Sequence, residues 1–110
     1  MYKLLILVFL PLSSFSFAAG QITGNKITSV SFNTGGFFLI SPSWDNPNNC
    51  TRSNAIVLQS TDPNYDKAFA VLLAAYLSGK KVSGYSDKCV EHDGQTYNMI
   101  RGFKYLKISE

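Results

Sequence analysis

The sequence predicts an α+β domain that is mainly β, a small antiparallel barrel or sheet with one central helix, in the order β-β-β-α-β-β-β. Three observations predict it. Short stretches rich in β-branched and aromatic residues recur between clusters of turn-forming residues. One segment alone, Pro63 to Ser78, combines alanine- and leucine-rich composition with apolar residues at three and four spacing. The 110 residues are 45% hydrophobic, 15% charged and 14% aromatic, a balance that folds as one domain rather than remaining disordered.

Each element has a local cause. Lys26 to Phe32 alternates Thr28, Val30 and Phe32 against Ile27, Ser29 and Ser31, the period of a half-buried strand. Asn33-Thr34-Gly35-Gly36 is turn chemistry, and Phe37 to Ile40 is a short apolar strand that completes a hairpin. Ser41 to Asn54 holds two prolines and four asparagines, so it reads as irregular. Ala55 to Gln59 is a third strand. Val82 to Ser86 reads as a strand weakened by Gly84, with Cys89-Val90 extending it toward the hairpin turn Asp93-Gly94. Gln95 to Ile100 returns, and Phe103 to Ile108 alternates as a last strand.

The helix carries the plainest signals. Thr61-Asp62-Pro63 supplies a capping side chain and a proline at the first helical position, where a missing N–H is harmless. Tyr65, Phe69, Leu72, Leu73, Tyr76 and Leu77 make one apolar stripe, expected to pack on the sheet. The opposite side carries Ala70, Val71 and Ala74 rather than charge, and is expected to be covered as well. Gly79 is placed to end the helix in a left-handed conformation.

Residues 1–18 read as an address. Lys3 supplies a positive start, Leu4 to Leu12 is an apolar run interrupted by Pro11, and Ser16-Phe17-Ala18 is a small-x-small cleavage pattern. The run is about half the roughly twenty residues a membrane span needs. A signal peptide with cleavage near Ala18 is expected, leaving one domain, 19–110, secreted or periplasmic and without a membrane span. In such a compartment Cys50 and Cys89, the only cysteines, have one connectivity. The disulfide closes a loop of about forty residues, for which chain entropy gives roughly 4 kcal/mol.

Several function classes fall away. Ten Lys/Arg against seven acids make a formal charge of +3, with no basic run longer than Lys80-Lys81, so nucleic acid is not an expected partner. Two Cys and one His cannot fill an ordinary zinc site, no metal site is expected, and no cofactor motif is present. His92, the only histidine, lies in Glu91-His92-Asp93-Gly94, read as a solvated turn and a poor place for a catalytic base. Asp87, Glu91 and Asp93 match no calcium loop. The chain is therefore expected not to be an enzyme. The loop Ser41 to Asn49 is the candidate ligand surface: Trp44 can stack on a sugar ring while Asp45 and Asn46 bond its hydroxyls. The competing reading plugs Trp44 into the core.

The segment Tyr76-Leu77-Ser78-Gly79-Lys80-Lys81-Val82, with Tyr97-Asn98-Met99-Ile100 and Phe103, resembles the helix-to-strand junction of the B subunits of subtilase-cytotoxin-like and typhoid-toxin-like AB5 toxins. It resembles still more strongly short exported bacterial proteins of unassigned function with the plan strand, Cys, helix, Leu-Ala-Ala-Tyr-x-x-Gly-Lys (Leu73 to Lys80 here), strand, Cys. The toxin resemblance covers Pro63 to Ile108 and implies an OB-like barrel, assembly into a homo-oligomer, and glycan binding. It assigns no ligand residue here. The resulting expectation is an exported, non-enzymatic binding module for a glycan. The alternative is a periplasmic or secreted accessory or inhibitor protein that binds a protein partner.

Overall fold

Polar, glycine-containing residues form the first strand, β1 (Gly20–Lys26), followed by β2 (Ser29–Asn33), β3 (Gly36–Ile40) and β4 (Ala55–Gln59). Helix α1 (Tyr65–Ser78), β5 (Lys81–His92), β6 (Gln95–Ile100) and β7 (Lys107–Ser109) complete the chain. This computed structural model describes residues 19–110, and the expected signal peptide lies outside the described residues. The domain is mainly β with one helix, as its composition predicts. Strand β1 was not expected, because Ile22 is its only apolar residue and no alternation marks it.

Of the expected antiparallel barrel or sheet, the structure forms a sheet, and one that is not wholly antiparallel. Its order is β1-β5-β6-β4-β3-β2, with β7 also paired to β5, and it is open. It is also mixed, because β4 and β6 run parallel, Ile56, Val57 and Leu58 facing Asn98, Met99 and Ile100. The reason is topological. The Asp93-Gly94 turn, with φ of 52° and 80°, makes β6 antiparallel to β5, and that direction brings it alongside β4. Strand β4 is then central and covered on both faces, which explains its continuous apolar run Ala55 to Leu58.

The predicted hairpin forms as expected, with β2 and β3 joined through Thr34 and Gly35. The last strand is shorter than expected, since residues 103–106 are irregular and only Lys107 to Ser109 pair. Helix α1 begins at Tyr65 rather than at Pro63. The Asp62 carboxylate accepts the Asn64 N–H at 2.8 Å and the Gly102 N–H at 2.9 Å, so it caps the turn before the helix and holds residue 102 against it. A Cβ at Gly102 would lie 2.8 Å from Asp62 Oδ1 and 3.2 Å from the Ala68 Cβ, so a side chain there would push the capping carboxylate aside. At the other end Gly79 has φ 69°, with Lys80 N–H bonded to Ala75 and Gly79 N–H to Tyr76, a complete Schellman closure.

The core lies between α1 and one face of the sheet. Ala68, Leu72 and Ala75 are the buried helix positions, packed with Ile22, Phe37, Leu39, Ile56, Leu58, Val82 and Ile100. Burying Leu72 contributes about 1.5–3 kcal/mol. Phe69, Leu73 and Tyr76 are half-buried rather than buried, and Leu77 is 74% exposed. Ala70, Val71 and Ala74 are exposed as well, so the second side of the helix is uncovered in the single chain. Small alanines at 68 and 75 let the helix backbone settle close to the sheet, which rotates the expected stripe partly outward.

Candidate functional site

The loop from Ser41 to Asn54 lays Trp44 into the main core. Trp44 is 4% exposed, and its Nε1–H donates to the Leu39 carbonyl at 2.9 Å. The Asp45 carboxylate accepts the Thr23 N–H and hydroxyl, both at 2.7 Å. Asn46 bonds both the N–H and the carbonyl of Cys50, and its Oδ1 accepts Asn98 Nδ2 at 2.7 Å. The stacking role expected of Trp44 therefore has no exposed ring to act through. Trp44 joins loop to core, Asp45 ties the loop to β1, and Asn46 ties it to β6.

Beneath that loop Cys50 and Cys89 form the expected disulfide, Cα atoms 5.7 Å apart. Beside it, buried Asn48 donates to Ser86 Oγ at 2.9 Å and to Asn98 Oδ1 at 3.0 Å, so its amide is satisfied in the interior. These polar groups are structural.

On the opposite face the end of β5 curls inward. The His92 ring centroid lies 5.0 Å from that of Phe38 and 6.3 Å from that of Tyr97, and Nε2 lies 3.3 Å from Gln59 Oε1. His92 is thus half-buried against a second small core of Phe38, Ala55 and Val57, not a solvated turn residue. The turn places it at the tip, and the bulge between Ser86 and Cys89 bends the tip over the sheet.

A cleft crosses β5 at Ser83 and Gly84. It holds about 580 Å³, with Gln21 to Gly24 of β1 as one wall and Tyr105, Leu106 and Lys107 as the other. Its second wall is built by a left-handed residue. Asp62 anchors the segment at Gly102, pairing of Lys107 with Ser83 anchors it at β7, and Leu106 packs against the main core. Tyr105, at φ 58°, turns the chain between them and stays 61% exposed. That conformation costs a non-glycine residue about 1–2 kcal/mol, and such strain gathers at functional sites.

Around Tyr105 the side chains alternate aromatic and cationic. Lys104 Nζ stands 4.3 Å from the Tyr85 ring centroid and 6.0 Å from that of Tyr105, while Tyr85 and Tyr105 are 5.6 Å apart. Arg101 lies 5.1 Å from the Phe103 ring and is ion-paired with Asp87. The cleft therefore offers an exposed ring with amide, hydroxyl and ammonium groups beside it, the chemistry to hold a polar, ring-shaped molecule by stacking and hydrogen bonds. Among the described residues no three His, Cys, Asp or Glu side chains gather as a metal site.

The sequence reading missed Tyr85, Lys104, Tyr105 and Lys107. Their signal was present as Phe103-Lys104-Tyr105, but alternation there reads equally well as a strand. Comparison of the chain with family models, with curated proteins and with solved structures returned no match.

Proposed function

We propose that this chain is an exported, non-enzymatic binding module that holds a saccharide in the Tyr105 cleft. One observation carries the reading: an exposed tyrosine, kept in a left-handed conformation, walls a 580 Å³ cleft furnished with Gln21, Ser83 and Lys107. A rigid aromatic ring beside a few polar groups is a common form of small-ligand recognition. The Cys50–Cys89 disulfide supports an oxidising compartment, and hence secretion or export to the periplasm. No helix among the described residues is long and apolar enough to cross a membrane.

A glycan array on the purified protein, followed by titration calorimetry on its best ligand, tests the proposal. Tyr105→Gly should weaken binding about tenfold or more, the cost of about 1.4 kcal/mol of lost contact. The same change relieves the left-handed strain while loosening the unfolded chain and losing the Tyr85 contact, opposing effects that should leave the melting temperature little changed. An array without a hit, or full affinity in Tyr105→Gly, would sink the saccharide reading.

A second reading has its own support. Leu77, Val71 and the edge-strand residue Phe32 are exposed large apolar side chains, surface that a protein partner or further copies of this chain would cover. If a homo-oligomer forms through α1, Val71→Glu should reduce the light-scattering mass to one chain without unfolding it. A one-chain mass for the unaltered protein across a hundredfold dilution would count against that assembly.

A further inference from the structure

Lys26 of β1 and Lys81 of β5 are direct cross-strand partners. Like charges in that position destabilise a sheet. Lys81, Ser83 and Tyr85 alternate with buried Val82, so they share the face turned away from the main core. Lys107 stands opposite Ser83 on the other side of β5, and Lys104 covers the Tyr85 ring. A side chain at Gly24, in the cleft wall, would touch the Lys81 stem at 3.6–3.7 Å, so the glycine leaves that stem beside the cleft.

These four ammonium groups have no carboxylate partner among the described residues. The two ion pairs there join Lys80 to Glu110 and Arg101 to Asp87. Of the four, Lys107 lines the cleft, the Lys81 stem lies beside its Gly24 wall with Lys26 paired opposite, and Lys104 lies on Tyr85. This local excess of positive charge matches an anionic ligand, whose binding would relieve the repulsion between Lys26 and Lys81.

We propose that the Tyr105 cleft selects saccharides carrying tetrahedral oxyanion esters, sulfate or phosphate. This rests on the saccharide reading above and names its ligand class. Donor type separates these esters from carboxylated sugars. A lysine ammonium is a compact charge with three rotatable donors, suited to a tetrahedral oxyanion, whereas a planar carboxylate is best matched by the arginine fork. The arginine of this segment, Arg101, is already committed to Asp87.

The test uses the purified protein and five probes at 50 and 300 mM salt. They are a heparin-derived oligosaccharide, the same chain desulfated, a phosphomannosyl oligosaccharide, an oligogalacturonate bearing carboxylates alone, and inorganic tripolyphosphate. Either or both ester-bearing sugars should bind, showing which ester is used, and their affinity should fall with salt. The desulfated chain, the oligogalacturonate and tripolyphosphate should each bind at least tenfold more weakly than the better ester. The double variant Lys26→Gln, Lys81→Gln should lose at least tenfold in affinity. Its melting temperature should rise at 50 mM salt, with the rise shrinking at 300 mM, which marks relieved repulsion rather than lost structure.

Carboxylate or desulfated chains that bind as well as the esters would overturn the proposal, as would unchanged affinity in the lysine variant. Neutral saccharide binding that survives that variant would defeat the ester inference and leave the saccharide reading standing. Tripolyphosphate, or a single-stranded oligonucleotide, binding as tightly as the sugar esters would overturn both.

Discussion

Trp44→Ala is expected to lower the free energy of unfolding by about 3–5 kcal/mol, the usual cost of deleting a buried large aromatic. Two losses add. The indole leaves a void in the cluster that contains Ile22, Phe37, Leu39 and Ile56, and the Leu39 carbonyl loses the Nε1–H donor it meets at 2.9 Å. Trp44→Phe fills part of the void and removes only the donor, so about 1–3 kcal/mol should remain. Urea melts of the two variants beside the parent measure both numbers. A change below about 1 kcal/mol in Trp44→Ala would mean that the indole is exposed in solution, and would return the 44–46 loop to candidacy as the stacking surface.

Breaking the Cys50–Cys89 bridge should cost about as much. The cysteines stand 39 positions apart, and a loop of that size restrains the unfolded chain by roughly 4 kcal/mol, with 2–5 kcal/mol the usual loss when a native disulfide is removed from a small exported domain. Cys50→Ser and Cys89→Ser should each fall in that range, and the double variant should resemble either one because both lose the same bond. Unfolding curves with and without reductant make the comparison, and mass spectrometry of unreduced peptides confirms the pairing. Two free thiols in protein purified from an oxidising compartment would defeat it. A typical domain is stable by 5–15 kcal/mol in all, so either this change or Trp44→Ala removes a large share of the margin.

The two perturbations are not independent. Asn46 hydrogen-bonds both the N–H and the carbonyl of Cys50, and Trp44 lies two residues before Asn46, so the bridge and the indole hold opposite ends of one loop. Combining them should give a loss smaller than the sum, since a loop already released by one change has less left to lose to the other.

Signals that are satisfied within a few residues were legible in the sequence. The Asp93-Gly94 turn, the left-handed Gly79, the hairpin around Thr34-Gly35 and the apolar strand Ala55 to Gln59 all occur where local chemistry puts them. Helix α1 is offset by two residues at its start: Asp62 accepts the Asn64 N–H as a cap would, but residues 62–65 close a separate turn, Tyr65 N–H bonding the Asp62 carbonyl, before the helix begins. Strand β1 was not legible, since its partner supplies the hydrogen bonds and its own residues announce nothing.

The candidate site was less legible for the same reason. Tyr105 and Lys107 are near in sequence, but Gln21, Thr23 and Ser83 reach them only through the pairing of β5 with both β1 and β7. The facing of Lys26 and Lys81 depends on a bulge between Ile22 and Asn25 that shifts the register, and nothing in the sequence marks that bulge beyond Gly24.

By itself the sequence determined the mainly β class, the single helix, the tight turns and the one available cysteine pair, because each follows from backbone preference or from elimination. Tertiary structure alone decided the open mixed sheet, the burial of Trp44, the inward curl of His92 and the outward face of Tyr105. Those depend on which strand lies beside which and on what covers each face. An aromatic residue carries the same apolar area whether it plugs a core or walls a cleft, and only the chain packed around it settles which.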